Sequence, residues 1–94
     1  MQKNPLQKYM DDADRITRWP TRKNKSDRAL VLAYLATKFE AGTTYTEREV
    51  NDVLKQWHTF EDWALLRREL YEGGYLNREK DGSAYWPAPQ TTVY

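Results

Sequence analysis

The chain has no cysteine, and histidine occurs once, at position 58. Disulfides and thiolate metal sites are therefore excluded. No apolar run approaches the roughly 18–20 residues of a membrane-spanning helix. The opening MQKNPLQKYMDD also lacks the hydrophobic segment of a secretory signal. Together these absences make the cytoplasm the expected compartment and leave the membrane out as a partner. Catalytic signatures are missing too: there is no H-E-x-x-H, no glycine-rich phosphate loop and no serine-centred nucleophile elbow. His58 falls in a turn beside a helix cap, where a hydrogen bond to nearby backbone is its expected role. Glu47 and Glu49 fall on different sides of one helix, which gives paired-carboxylate chemistry no support. The expectation is a binding protein, not an enzyme, with no cofactor.

Aromatic residues are abundant: four Trp, seven Tyr and two Phe in 94 residues. Each buried ring removes a large apolar area from water, so a few rings can stabilise the small core that a chain of this length builds. Charged residues make up 31% of the chain and the formal net charge is only +1, but the distribution is uneven. Residues 1–28 hold eight Lys/Arg against four Asp, a balance of +4, while residues 29–94 hold seven against ten Asp/Glu, a balance of −3. A sequence-blind phosphate binder usually carries its positive excess on the folded body. Here the excess lies on the N-terminal segment.

The pattern along the chain predicts an N-terminal basic arm over 1–25, a folded domain over 26–86 and a tail over 87–94. In the arm, Leu6, Tyr9, Met10, Ile16 and Trp19 are expected to pack on the body. A short helix over Asp11–Arg18 would end before Pro20. A first full helix runs from Ser26, a favourable N-cap, to a stop before Gly42. It presents Val31, Leu32, Leu35, Ala36 and Phe39 on one face, with Leu30 and Tyr34 on a second where the arm can dock. Thr43-Thr44-Tyr45 is a short β-prone stretch. Thr46 and Glu49 form a capping box opening a second helix, in which Val50, Val53, Leu54 and Trp57 repeat at helical spacing. Thr59 caps a third helix over Phe60–Glu72, with Phe60, Trp63, Leu66 and Leu70 inward, and Gly73-Gly74 stop it. Asp81-Gly82 lies between the β-prone runs Arg78–Lys80 and Ser83–Trp86 and signals a hairpin whose two turn residues tolerate positive φ.

Helix, extended stretch, helix, tight turn, helix and hairpin define an α+β fold: a winged helix-turn-helix, three helices plus a C-terminal β-hairpin wing. A plain three-helix bundle leaves the hairpin unexplained. The run Arg15-Ile16-Thr17-Arg18-Trp19-Pro20 resembles the opening of a bacterial family of unknown function, DUF2087. So do Tyr45 to Asn51, Trp57-His58-Thr59-Phe60, Leu66 to Leu70 and Asp81 to Trp86, which together span residues 15–86. The resemblance implies a winged-helix-like domain associated with transcriptional regulators, often joined to a separate DNA-reading domain. This chain is expected to be the free-standing form. The resemblance implies no ligand and no catalytic residues.

Two functional readings follow. In the first, duplex DNA is bound through the third helix, the wing and the arm. Arg67, Arg68, Arg78 and Lys80 are the contacts from the body, and Arg is the best bidentate reader of guanine. Arg15, Arg18, Arg22, Lys23, Lys25 and Arg28 track phosphates or enter a minor groove. Against this, the outward face of the third helix reads as Glu61, Asp62, Leu65, Arg68, Glu69 and Glu72, a net −3 that phosphates repel. Arg67 falls near the buried edge, where pairing with a carboxylate is the alternative to nucleic-acid contact. In the second reading the domain is an interaction module, a homodimer or the docking partner of another regulatory protein. Its acidic third helix and basic arm are then complementary, and Tyr75, Tyr85, Trp86 and Tyr94 supply aromatic contacts unless they seal the hairpin onto the helices.

Overall fold

Residues 5–89 are described in a computed structural model of the chain. Three helices, α1 (Lys25–Ala36), α2 (Glu47–Trp57) and α3 (Trp63–Glu72), are followed by strands β1 (Leu76–Arg78) and β2 (Tyr85–Pro87), with short 3-10 turns at Gln7–Tyr9 and Arg22–Asn24. β1 and β2 pair antiparallel, with Asn77 opposite Trp86. The result is an α+β fold with the winged-helix layout. Residues 90–94, which include most of the expected tail and Tyr94, lie outside the described residues, as do residues 1–4.

The core is built by the residues whose spacing announces it. Val31 and Leu35 of α1, Val50 and Leu54 of α2, and Leu66 and Leu70 of α3 are each completely buried. At about 1.5–3 kcal/mol for each such side chain, this set supplies much of the hydrophobic stabilisation. α2 opens with the expected capping box: Glu49 N–H donates to Thr46 Oγ1 at 3.1 Å, and Thr46 N–H donates to Glu49 Oε1 at 2.8 Å. Val53, Trp57, Phe60 and Trp63 are half-buried around this centre.

Ile16 is also completely buried. Its amide donates to the Trp57 carbonyl at 2.8 Å and its carbonyl accepts from Thr59 N–H at 2.9 Å, so the N-terminal segment lies as a short strand along the α2–α3 turn. Leu6 and Tyr9 are buried in the same cluster.

Four local expectations are corrected. The helix over Asp11–Arg18 does not form. The Asp11 carboxylate instead accepts the amides of Ala13 and Arg15 at 3.0 and 2.9 Å, and Asp14 takes a φ of 62°. A short side chain that captures nearby amides competes with the helix ladder. α1 stops at Ala36, well before Gly42. Thr37 Oγ1 donates to the Tyr34 carbonyl at 2.6 Å, and the next amides fold back three residues as a 3-10 turn. Phe39 still reaches the core, but Leu30, expected beneath the arm, is 39% exposed. α3 begins at Trp63, not Phe60, because Asp62 rather than Thr59 caps it, accepting from Leu65 N–H at 3.2 Å.

The hairpin is wider than its Asp-Gly signal predicts. Glu79 N–H donates to the Ala84 carbonyl at 2.9 Å and closes a loop in which only Gly82, at φ 75°, takes the left-handed region. Asp81 uses its carboxylate on Ser83 N–H at 2.9 Å. The strands accordingly shift outward from 78–80 and 83–86 to 76–78 and 85–87. Tyr45, in the β-prone stretch before α2, exchanges two hydrogen bonds with Tyr85, both 2.7 Å, an antiparallel bridge that joins a third chain segment to β2.

Candidate nucleic-acid interface

α3 and the hairpin meet over a depression of about 300 Å³. Ala64, Arg67, Arg68, Tyr71 and Glu72 line it from α3, the first four at positions spaced three and four apart on one helix face. Arg78 on β1 and Tyr85 on β2 close the hairpin side, and Glu47, in the first turn of α2, closes the third. Three of the four body cations expected from the sequence are thus brought together. Lys80 is exposed in the hairpin loop and does not line the depression.

The guanidinium groups differ in how they are held. Arg67 is half-buried, donating from Nη1 to Asn51 Oδ1 at 2.5 Å, with its Nε 3.6 Å from Glu47 Oε1. This is the pairing with a carboxylate that its place at the buried edge suggests. Arg78 lies over the Tyr71 ring with its Cζ 4.4 Å from the centroid, within cation–π range. Hydrogen bonding to Tyr85, and then to Tyr71, raises its pKa further above the ordinary arginine value. Arg68 is exposed, and its side chain makes no hydrogen bond or ion pair among the described residues.

The acidic face read from the helical wheel is also corrected. Glu61 and Asp62 precede α3, and Leu65 and Glu69 are half-buried. The exposed helical residues are Ala64, Arg68, Tyr71 and Glu72, so the net −3 of the expected face is absent from the surface beside the hairpin. The physical cause is the later start of α3, which leaves Glu61 and Asp62 in the turn before the helix and off its face.

The basic residues of the arm are elsewhere. Arg15 pairs with Asp11, Nη2 to Oδ2 at 2.9 Å. With Lys55, His58 and Trp63 it borders a separate depression of about 460 Å³. Arg18 lies over the Tyr9 ring at 5.0 Å. Arg28 donates from Nε to the Pro20 carbonyl at 2.7 Å and covers the Trp19 ring at 5.1 Å. Arg22, Lys23 and Lys25 are exposed, without a side-chain hydrogen bond or ion pair among the described residues. Arg18, Arg22, Lys23 and Lys25 line neither depression.

His58 is buried with both ring nitrogens engaged: Nδ1 meets the Leu54 carbonyl at 2.5 Å, and Nε2 accepts from Asp62 N–H at 3.0 Å. That pair of partners assigns the neutral tautomer with the proton on Nδ1. Among the described residues no group of three or more His, Asp or Glu side chains is placed to hold a metal ion. No helix among the described residues is long and apolar enough to cross a membrane.

Sequence reasoning missed Tyr71, Glu47 and Asn51 at the depression. Tyr71 carried a signal, since it follows Arg67 by four residues and Arg68 by three. Glu47 and Asn51 also stand four apart on α2, but which α2 face meets α3 depends on the tertiary crossing.

The fold and this depression define a small winged-helix-type domain with an arginine-lined groove between its third helix and its hairpin. Residues 15–87 match the model of a family described as "Uncharacterized protein conserved in bacteria (DUF2087)", and the chain belongs to that family. No curated protein and no solved structure matches it.

Proposed function

We propose that this protein binds duplex DNA, with α3 and the hairpin straddling the sugar-phosphate backbone as in transcription-regulator winged helices. The observation that carries this reading is the convergence of Arg67, Arg68 and Arg78 on one depression between α3 and the hairpin. In helix-turn-helix folds those two elements are the ones that enter and flank a groove. Exposed Arg68 and Tyr71 are available to a ligand, while Arg67 and Arg78 are pre-oriented by Asn51 and Tyr71, which lowers the entropy cost of contact. The arm cations Arg22, Lys23 and Lys25 add a second, exposed positive segment.

A salt series on a random-sequence duplex tests the reading. Binding at low salt should weaken steeply as salt rises, with a slope near −0.9 for each phosphate neutralised. Replacing Arg68 and Arg78 by Ala should reduce both affinity and slope. A protein that fails to bind at low salt contradicts the proposal.

The alternative, self-association, is favoured by a different observation. Residues 29–37 of and just beyond α1 carry no charge, and Ala29, Leu30, Ala33 and Thr37 are all exposed. Light scattering that gives a dimer mass, shifted to monomer by Leu30→Glu, would support it.

A further inference from the structure

Of the two carboxylates that border the arginine-lined depression, Glu47 and Glu72, the first stands where an anion would be expected. Glu47 Oε1 lies 3.6 Å from Arg67 Nε and 3.5 Å from the Tyr85 hydroxyl, which donates to it. A methyl group built on Gly82 would lie 4.0 Å from both Glu47 Oε1 and Arg78 Nη1, so the hairpin guanidinium borders the same glycine without forming an ion pair with the carboxylate. Glu47 is not needed for the helix cap, which Thr46 and Glu49 complete between themselves. Its side chain is half exposed, so nothing in the packing holds it there. Its two partners are an N–H and an O–H donor, the Arg67 guanidinium and the Tyr85 phenol, and the Arg78 guanidinium lines the same depression. That is the donor set for a tetrahedral oxyanion, since guanidinium forks match phosphate oxygens and a phenol donates to a third.

We propose that this depression is a phosphate seat, built from Arg67, Arg78 and Tyr85 with Arg68 at its mouth, whose occupant in the free protein is the Glu47 carboxylate. An arriving phosphate group, from a nucleic-acid backbone or as a free phosphate, displaces Glu47 towards solvent and takes over its donors. Glu47 thereby weakens binding to isolated anions. A backbone that also engages the exposed Arg68 competes better. This inference deepens the DNA reading by naming the contact, and it also stands apart from it, because the seat recognises phosphate whatever the phosphate is attached to.

Inorganic phosphate, titrated at constant ionic strength with sodium chloride as the balance and followed by amide and guanidinium NMR shifts, is the test. Glu47→Gln removes one negative charge about 4 Å from the seat and should tighten phosphate binding by roughly tenfold. The shifts should concentrate at residues 47, 67, 78 and 85. Adding Arg78→Gln to Glu47→Gln should remove the gain, and Glu47→Ala should reproduce it. If Glu47→Gln binds phosphate no more tightly than the unchanged protein, or chloride produces the same shifts, the seat does not exist.

A duplex arm separates this outcome from the DNA reading. Tighter phosphate binding by Glu47→Gln with no duplex binding keeps the seat and rejects DNA as its ligand. Duplex binding by the unchanged protein with no phosphate gain on Glu47→Gln keeps the DNA reading and rejects the seat.

Discussion

The N-terminal segment and the α3–hairpin depression are both rich in cations, yet they use them differently. In the first, Arg15, Arg18 and Arg28 are spent on local partners: a carboxylate, a phenol ring, and a carbonyl with an indole ring. These contacts tie a segment without regular helix to the body. In the second, Arg67 and Arg78 are oriented by side chains, and Arg68 faces solvent. A count of charges along the chain favours the first region as the interface. What each guanidinium is bound to favours the second.

The comparison breaks most sharply if the N-terminal segment can be damaged without cost. Ile16→Ala should lower stability by about 2–4 kcal/mol, because it empties a completely buried position beside the α2–α3 turn. Denaturant unfolding measures this, and a loss under 1 kcal/mol would make the segment an appendage. Next in size is the contrast in binding. Arg68→Ala with Arg78→Ala should reduce duplex affinity at low salt by at least tenfold, about 1.4 kcal/mol. Arg22→Ala with Lys23→Ala should cost several-fold less. Fluorescence anisotropy ranks the two pairs, and the reverse order would move the interface to the N-terminal segment.

A smaller effect is expected in the turn that joins the two regions. Glu61 has a φ of 53°, a conformation costly for a residue with a side chain and free for glycine. Glu61→Gly should therefore stabilise the fold by about 0.5–1 kcal/mol, seen as a melting temperature raised by a few degrees. The smallest effect is a pH dependence that belongs to the N-terminal segment alone. Tyr9 O–H donates to Asp27 Oδ2 at 2.6 Å. That bond, helped by Lys8, holds the Asp27 carboxyl below its ordinary value. A carboxyl whose pKa is lowered by folding contributes stability above its unfolded pKa, and the contribution fades as pH falls through the folded value. The stability gap between the unchanged protein and Tyr9→Phe should therefore close as pH drops below the usual carboxylate range, while Asp27 in Tyr9→Phe titrates at higher pH by NMR.

Much of the architecture was legible because it rests on local rules. The Thr46–Glu49 capping box, the spacing of Val50, Leu54, Leu66 and Leu70, and the hairpin signal all depend on residues a few positions apart. The start of α3 was not legible. Thr59 and Asp62 are both good caps, and the cap used is the one whose amide donates to the buried His58 ring, a contact that helix-cap preferences alone do not reveal. The path of residues 11–18 was hidden for a similar reason, since the Asp11 carboxylate competes with helical hydrogen bonds. At the candidate site, the arginines were recognisable by type. Their grouping was not, because Glu47, Arg67 and Arg78 are brought together by packing across three elements.

The paired amides and carbonyls of Tyr45 and Tyr85 have a mechanical consequence. A hairpin anchored only at its base can swing, and its tip then searches for a target. Here the outgoing strand is bolted to the residue that leads into α2, so strand and helices translate as one body. For the duplex proposed as ligand, the expected consequence is that the spacing between Arg68 and the hairpin loop is set before the target arrives, so that a mismatched duplex must itself bend.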